Sequence, residues 1–374
     1  MEIRRGEFLK GVAATAAVAG AGMCKAQTAT KFTVPKGVKM RSALLHLGMS
    51  MWGGYLAPGE KRDPNLRYGR QACPTEQELW LEVTALMQKR KYNHAIIDLG
   101  GGVEFPSHPE LTIPGARTPQ QVRDEVARLA GMGIEAVPKL NFSACHDAWL
   151  GPYERMLSTP KYYKVVEDVI ADACEMFGHP RHVHIGLDEE DGVHGAKDPI
   201  MVVRCGELWW HDFNFYLRTL ERHGAQAIMF TGPRGRDPEE FDKRVPKSVI
   251  MNAGIYGSFE SKEELIAKFA KRYATGRLQA KARWPFVFKE LADHGFSILT
   301  CVSNWVNAFG DEANAMATND KSISCVQKYI ASEVPDAQIA GGCVAPWRSM
   351  IANRRKIWLD AINQLADSCD SLGW

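Results

Sequence analysis

The sequence of 374 residues lacks the features that identify several large classes of protein at once. Its net charge is only +2, from 46 basic and 44 acidic residues, so no basic surface for nucleic acid or anionic membrane is predicted. Its nine cysteines contain no Cys-x-x-Cys pair, which argues against a zinc knuckle or a redox dithiol. No Pro/Gly/Ser-rich linker, internal repeat or low-complexity tract divides the chain, and a single folded domain is therefore predicted.

A convincing membrane span is also missing, although the N-terminus contains an apolar run. The run Gly11–Met23 is short and rich in alanine, unlike the roughly 20 strongly apolar residues of a transmembrane helix. It follows the pair Arg4-Arg5 and precedes Cys24-Lys-Ala26, as in an export signal. One residue too many separates the arginine pair from Phe8 for a standard twin-arginine signal, so export in the folded or the unfolded state remains open.

We therefore expect residues 1–26 to be a removable export signal and residues 27–39 to lead into a domain over residues 40–374. The mature protein is then periplasmic or extracellular, with no membrane span after removal of the signal. Eight cysteines remain after Cys24 is lost. In a compartment that permits disulfides, we expect a few structural bridges or buried thiols.

From residue 40 onward, short β-type runs alternate with longer stretches that have apolar residues at helical spacing. Eight runs are predicted as strands: Ser42–Leu47, Ala95–Asp98, Ala136–Leu140, His182–Ile185, Ala225–Phe230, Val249–Asn252, Ser297–Val302 and Ile339–Ala345. Six stretches are predicted as helices: Glu76–Lys89, Pro119–Gly131, Lys161–Phe177, Leu208–His223, Lys262–Tyr273 and Asn353–Asp367. This order predicts a single-domain (β/α)8 TIM barrel. A doubly wound open sheet is the alternative, but Gly48–Gly54 does not fit the glycine-rich phosphate turn that it needs.

The predicted fourth strand runs directly into four consecutive carboxylates, Asp188 to Asp191. Like charges crowded at a strand end disfavour one another's ionisation and burial, so a chemical role explains them better than folding does. Adjacent carboxylates in different surroundings can act as an acid and as an ionised group, as they do in glycoside-cleaving sites. A solvated acidic turn is the simpler alternative.

Other polar and aromatic residues follow the predicted strands at the end of a barrel where chemistry takes place. The candidates are Asp98, Asn141, His146, Tyr256, Trp305, Asn307 and Trp347. The chain also has ten tryptophans and ten tyrosines, and flat aromatic faces suit sugar rings. No metal or organic cofactor is predicted.

Three consecutive blocks of the sequence resemble the β-N-acetylhexosaminidases of glycoside hydrolase family 20. The first contains Ile96-Ile-Asp98 and the loop Phe105-Pro-Ser-His-Pro-Glu-Leu111. The second runs from Thr118 through Gly133-Ile-Glu-Ala-Val-Pro-Lys-Leu-Asn141 to His146. The third, His184-Ile-Gly-Leu-Asp188-Glu189, stands where the family carries His-x-Gly-Gly-Asp-Glu. Together the blocks cover about residues 90 to 191, and beyond them the resemblance is thin.

The resemblance implies roles for the residues that match the family's motifs. Glu189 would be the general acid, and Asp188 would orient a 2-acetamido group whose carbonyl oxygen attacks the anomeric carbon, which is a recognised exception to the scheme with two enzyme carboxylates. Asp98 and His146 would support the acid, since a histidine held by a carboxylate can change its charge as the acid loses and regains its proton. The expected substrate-binding residues are Trp305, Asn307, Trp347, Tyr256, His184 and Asn141.

Several positions depart from the family's pattern, and most of them lie in the pocket that reads the sugar. No arginine occurs between Gly48 and Trp52, Asn307 stands in place of an aspartate, and Ser349 in place of a glutamate. Leu187 replaces a glycine. These changes predict a modified substrate, and Arg234, Arg236 and Arg348 are candidate contacts for an anionic group such as sulfate or uronate. Solvated loop arginines are an equally good interpretation of these three.

Three alternatives to a substrate-assisted glycosidase remain open at this point. The first is a glycosidase of another sugar class, with Glu189 as the acid and Asp98, Glu190 or Asp191 as the nucleophile or base. The second is a metal-dependent barrel enzyme with His182, His184, Asp188 and Glu189 as ligands. The third is a sugar-binding barrel without catalysis. The sequence predicts a carbohydrate partner but neither the sugar, the linkage nor the oligomeric state.

Overall fold

The computed structural model describes residues 32–48, 50–52, 67–68, 73, 75–190, 202–275, 279–304 and 321–374. The predicted signal and three candidate residues, Asp191, Trp305 and Asn307, lie outside this part of the chain. The strands are β1 Met40–His46, β2 Ser50–Trp52, β3 Arg67–Tyr68, β4 His94–Asp98, β5 Glu135–Lys139, β6 His182–His184, β7 Gln226–Phe230, β8 Ile250–Gly254, β9 Ile298–Val302 and β10 Ile339–Val344.

Eight of these strands form a closed barrel in the order β1-β10-β9-β8-β7-β6-β5-β4, and every neighbouring pair is parallel. The strands β2 and β3 pair separately. This topology confirms the predicted (β/α)8 barrel. Each of the eight predicted strands overlaps an observed one, and their bounds differ by one or two residues.

The helices of the described residues lie between the strands and confirm the six predicted ones. They are α1 Gln77–Lys89, α2 Pro119–Gly131, α3 Pro160–Met176, α4 Gly206–Arg222, α5 Pro238–Arg244, α6 Lys262–Arg272, α7 Val287–Asp293, α8 Ser322–Glu333 and α9 Arg355–Leu372. The predicted cap of α2 is a capping box, because Thr118 accepts a hydrogen bond from Gln121 N at 3.3 Å and Thr118 N donates to Gln121 Oε1 at 2.9 Å. Pro119 occupies the first turn, where its missing N–H costs nothing.

Two apolar layers hold the barrel together. Alternate strand residues such as Leu44, Ile96, Val137, Ile228 and Leu299 fill its interior, and the residues between them pack outward against the helices. Because side chains alternate along a strand, the last inward residue of each strand reaches the carboxyl end of the barrel. That rule selects the residues that are available to a site.

The amino end of the barrel is closed by a buried carboxylate. Glu135 accepts hydrogen bonds from Val34 N at 2.8 Å and from Arg181 Nη2 at 2.6 Å, and His94 Nε2 lies 3.7 Å from it. Burial, opposed by Glu135, lowers the pKa of His94 to about 4, so this imidazole is neutral at physiological pH. The segment before β1 is thereby tied across the bottom of the barrel.

All eight cysteines from Cys73 to Cys369 are free thiols. The expected disulfide bridges are therefore not formed, and the alternative of buried thiols holds for Cys145, Cys174, Cys301, Cys343 and Cys369. Among the described helices, none combines the length and the apolar character needed to cross a membrane.

Candidate active site

The acidic motif after β6 forms a turn with unusual backbone conformations. Gly186, Leu187 and Glu189 have φ angles of 70°, 65° and 54°, in the left-handed region that is strained for residues with a side chain. Gly186 is required there, because a Cβ atom on it would lie 2.0 Å from Asn141 Oδ1. In an extended strand Asp188 and Glu189 would point to opposite faces, and the turn brings both to the same histidine.

That histidine is His146, which follows β5 and is 2% exposed. Its Nε2 atom lies 3.2 Å from Glu189 Oε2 and 3.6 Å from Asp188 Oδ2. Burial alone would lower the pKa of His146, but Asp188 and Glu189 outweigh burial and the pKa is raised. The two carboxylates are more open, with 23% of the Asp188 side chain and 37% of the Glu189 side chain exposed.

Asp188 is held from the side by Asn141, the first residue but one after β5. Asn141 Nδ2 donates to Asp188 Oδ1 at 2.8 Å, while Asn141 Oδ1 accepts from Ser143 N at 3.1 Å and Leu187 N at 3.2 Å. Ser143 Oγ also donates to the backbone carbonyl of Asp188. We predicted Asn141 as a substrate contact, and the structure instead places its amide on Asp188.

Asp98 is part of a different group from His146. Its Oδ2 atom accepts from Lys139 Nζ at 2.6 Å and lies 3.3 Å from His46 Nδ1. Burial would raise the pKa of Asp98, but Lys139 and His46 lower it well below its usual range. The expectation that Asp98 and His146 act as a pair is therefore not met: the described partners of Asp98 are Lys139 and His46, and those of His146 are Asp188 and Glu189.

Lys139 and His46 were missed in the sequence, although a signal for them exists. Each is the last residue of its strand, and the sheet register pairs both with Asp98. Alternation along the three strands places these side chains in the barrel interior, where Lys139 and His46 are both fully buried. The last inward residue of every strand should therefore be read together with the residues of the following loop.

His184 lies beneath this site and not on its surface. It is fully buried, its Nδ1 accepts from Gly186 N at 3.0 Å, and its Nε2 lies 3.4 Å from Asn252 Oδ1. Burial first, and Lys139 second, lower its pKa to about 3, so its imidazole is neutral. Both ring nitrogens have protein partners, in contrast to the predicted role as a substrate contact. Among the described residues, no group of three His, Cys, Asp or Glu side chains has the arrangement of a metal site.

Aromatic residues line the described wall opposite the acidic turn. The Trp347 ring lies 5.7 Å from that of His46 and 6.1 Å from that of Phe230, and its backbone is left-handed with φ 55°. Tyr256 is 37% exposed, and its hydroxyl lies 3.6 Å from Cys301 Sγ. Burial of this hydroxyl, with smaller effects of Cys301 and Asp188, raises the pKa of Tyr256.

Glu190, the residue after the acidic pair, is turned away from solvent. Only 1% of its side chain is exposed, and it accepts hydrogen bonds from Ala144 N at 2.9 Å, from Trp209 Nε1 at 2.6 Å and from Arg204. These donors occupy the carboxylate, which therefore lacks the access that a nucleophile or base needs. The alternative that uses Glu190 in this way is not supported.

The three arginines considered for an anionic group also have internal partners. Arg234 donates to Asp242 and to Glu290. Arg236 donates to backbone carbonyls, including that of Glu190. Arg348 is 1% exposed and donates to the carbonyl of Trp347. Their contacts are structural, and they do not support a sulfate or uronate site.

The sequence matches no protein-family model and no curated protein. Solved structures are nevertheless similar. A β-N-acetylhexosaminidase from Bacteroides fragilis superposes with a TM-score of 0.56 at 14% identity, over 88% of this chain and 66% of that one. The family 20 exo-β-N-acetylglucosaminidase from Vibrio harveyi, solved with N-acetylglucosamine, gives 0.53 at 14% identity over 89% and 57%.

A mutant β-hexosaminidase from Streptomyces plicatus, solved with its product N-acetylglucosamine, gives a TM-score of 0.53 at 14% identity over 87% of this chain and 63% of that one. The chain has the barrel fold of the family 20 hexosaminidases. It spans 57% to 66% of the length of these three enzymes. At such identities the similarity is one of fold, and it is consistent with the resemblance found in the three sequence blocks.

Proposed function

We propose that this protein is a glycoside hydrolase and a divergent relative of the family 20 β-N-acetylhexosaminidases. It cleaves a terminal β-linked N-acetylhexosamine, or a close analogue, with retention of configuration. The observation that carries the proposal is the contact of one buried histidine, His146, with the two adjacent carboxylates Asp188 and Glu189 at the carboxyl end of the barrel. Barrel enzymes carry their chemistry at that end.

Glu189 is the general acid in this proposal. It is exposed enough to meet a glycosidic oxygen, and it becomes negatively charged when it donates its proton. A protonated His146 at 3.2 Å stabilises that charge, and the raised pKa of His146 favours this protonated state. In the second step Glu189 takes a proton from the attacking water, which restores the starting state.

Asp188 orients the substrate in this proposal. Asn141 occupies one of its oxygens, while Oδ2 faces His146. An acetamido N–H that donates to Asp188 would turn the acetamido carbonyl oxygen toward the anomeric carbon. The carbonyl oxygen then forms the new bond as the aglycone leaves, and water opens the resulting ring from the same face.

The lack of a second accessible enzyme carboxylate favours substrate assistance over the two-carboxylate mechanism. Within the described residues, Glu190 is occupied by three donors. Asp98 is 4% exposed and bonded to Lys139. Neither is free to attack a sugar. Trp305, Asn307, Trp347 and Tyr256 remain the proposed contacts to the sugar.

The test is a comparison of aryl β-glycosides with and without the 2-acetamido group, together with inhibition by a thiazoline analogue of the intermediate. We expect turnover only of the acetamido substrates, and inhibition by the thiazoline. Equal turnover of a plain glucoside, with no thiazoline inhibition, would contradict substrate assistance. Tight binding of glycans without any hydrolysis would instead identify a sugar-binding barrel.

Export is a separate part of the proposal. The basic pair and apolar run in residues 1–26 support a periplasmic or extracellular location. N-terminal sequencing of the protein from an expressing bacterium should give a start after residue 26. Recovery of an intact N-terminus from the cytoplasm would contradict it.

A further inference from the structure

We propose that Glu190 is a positioning residue, which fixes the Asp188-Glu189 turn against the His146 loop so that Glu189 and His146 stay in contact. This inference rests on the proposed function for its kinetic test, but its geometric part does not. The four consecutive carboxylates then divide into two groups of different use: Asp188 and Glu189 face the open end of the barrel, while Glu190 ties their backbone down.

The first part of the argument is the position of Glu190 between two loops. Ala144, which donates to Glu190 Oε1 at 2.9 Å, lies two residues before His146. Glu190 itself directly follows Glu189. This single hydrogen bond therefore joins the loop that carries the histidine to the turn that carries the acid. Ser143, through its bond to the carbonyl of Asp188, joins the same two segments one step away.

The second part is the anchor behind the turn. Trp209 Nε1, on α4, donates to Glu190 Oε2 at 2.6 Å. Arg204, just before α4, donates to Glu190 and also to the carbonyl of Phe142 at 2.9 Å, and its other nitrogen reaches Asp212 Oδ2 at 3.1 Å. The side chains of Glu190 and Arg204 are each 1% exposed. The turn is thus bonded to a helix that does not itself line the site.

The third part is the strain that the anchor opposes. Leu187 and Glu189 both have left-handed backbones, which a free turn of these residues would leave. Such a conformation persists only where the surrounding contacts impose it. Glu190 makes the contacts on the far side of the strained residues, and Arg236 holds its carbonyl. The position of the Glu189 carboxylate therefore depends on Glu190.

The test uses Glu190→Gln with Glu135→Gln as the matched control. Both are buried carboxylates held by a backbone N–H and an arginine, but they lie at opposite ends of the barrel. We expect Glu190→Gln to lower kcat roughly 100-fold with a much smaller change in KM, because a displacement of about 1 Å at a reacting group has that effect. We expect Glu135→Gln to change neither.

The second readout is the pKa of His146, followed by NMR and assigned with a His146→Asn variant. His146 faces Asp188, Glu189 and Lys139. If the turn moves away, burial and Lys139 dominate, and the pKa of His146 falls. Trp209→Phe removes one donor without changing any charge, so it should lower kcat and the His146 pKa in the same direction, and it decides the question if Glu190→Gln does not fold.

Equal losses of kcat in Glu190→Gln and Glu135→Gln would overturn the proposal, since they would reflect stability alone. An unchanged His146 pKa in both Glu190→Gln and Trp209→Phe would overturn it as well. If the unaltered protein hydrolyses no glycoside, the proposed function fails by itself, and the His146 titration still decides whether Glu190 positions the turn.

Discussion

The two ends of the barrel contain the same kinds of buried group but use them differently. At the amino end, Glu135 is enclosed by Arg181 and the backbone of Val34, and the left-handed residues Lys91 and His179 only terminate helices. At the carboxyl end, left-handed residues lie within the acidic turn itself, and Asp188 and Glu189 remain partly exposed. One end is satisfied and closed, whereas the other keeps strained backbone and open carboxylates.

The difference shows which features of a barrel are signs of function. Buried ion pairs occur at both ends, so they do not distinguish a site from a plug. Strained non-glycine residues beside exposed carboxylates and a histidine of raised pKa occur together at the carboxyl end only, within the described residues. Strain that persists in a fold is expected where function requires it.

The largest effect should come from Gly186→Ala. The new Cβ would meet Asn141 Oδ1 at 2.0 Å on a backbone with φ 70°, so the turn must move and Asp188 must lose its amide partner. We expect a loss of about 3 kcal/mol or more in unfolding free energy and nearly complete loss of activity.

Gly178→Ala is the control for that substitution at the other end. Gly178 has a similar φ of 65°, but nothing lies within 4 Å of its added Cβ. It should therefore lose only about 1 kcal/mol and retain activity. Equal effects in urea unfolding and turnover would remove the special status of the acidic turn.

The second prediction concerns Lys139→Met. It leaves Asp98 buried with only His46 beside it, and the expected cost is about 3 to 5 kcal/mol, as for a broken buried pair. Glu135→Gln at the amino end leaves Arg181, whose side chain is 34% exposed and can be hydrated, so about 1 kcal/mol is expected. Urea unfolding at pH 7 measures both, and a larger loss for Glu135→Gln would contradict this ranking.

The third prediction concerns pH. The pKa of His94 in the folded protein, about 4, is below the usual 6.5, so the unfolded chain binds more protons between these values. Stability contributed by neutral His94 is therefore lost as the pH falls from about 6.5 toward 4, by up to roughly 3 kcal/mol. The variant His94→Gln should lose less stability between pH 7 and pH 5 than the unaltered protein does.

His146 has the opposite sign. Its pKa is raised in the folded state, so its contribution is complete below the unfolded pKa and is lost as the pH rises through the folded value. His146→Asn should therefore flatten the alkaline side of the stability profile and His94→Gln the acidic side. The reverse assignment in pH-dependent unfolding would show that the two ends have been confused.

The smallest effect should come from Tyr256→Phe. The hydroxyl contacts Cys301 Sγ at 3.6 Å, and its loss should cost about 1 kcal/mol with little change in kcat. The ring that we propose to face the sugar is retained. A loss of kcat as large as that in Gly186→Ala would place the hydroxyl in the reaction itself.

Much of the fold was predictable from local patterns, because short β-type runs alternate with amphipathic stretches. Thr118 and Pro119 even fixed the start of α2. The contact of Glu189 with His146 concerns residues that the family resemblance had named. The pairing of Asp98 with Lys139 and His46 was not predicted, because it depends on strand register, which no single strand reveals.

Two other features lay beyond local reasoning. Nothing in four successive carboxylates shows that the third meets Arg204 and Trp209, because both partners belong to a later part of the chain. Likewise, Leu187 has no intrinsic preference for φ 65°. The surrounding contacts impose that conformation, and only the assembled barrel supplies them.

The most direct test of the account is the turnover of a 4-nitrophenyl N-acetyl-β-hexosaminide by Glu189→Gln, beside Glu78→Gln on the exposed face of α1. The account predicts a loss of about 100- to 10,000-fold in kcat for Glu189→Gln, an unchanged melting temperature, and full activity for Glu78→Gln. Undiminished turnover by a folded Glu189→Gln variant would contradict it.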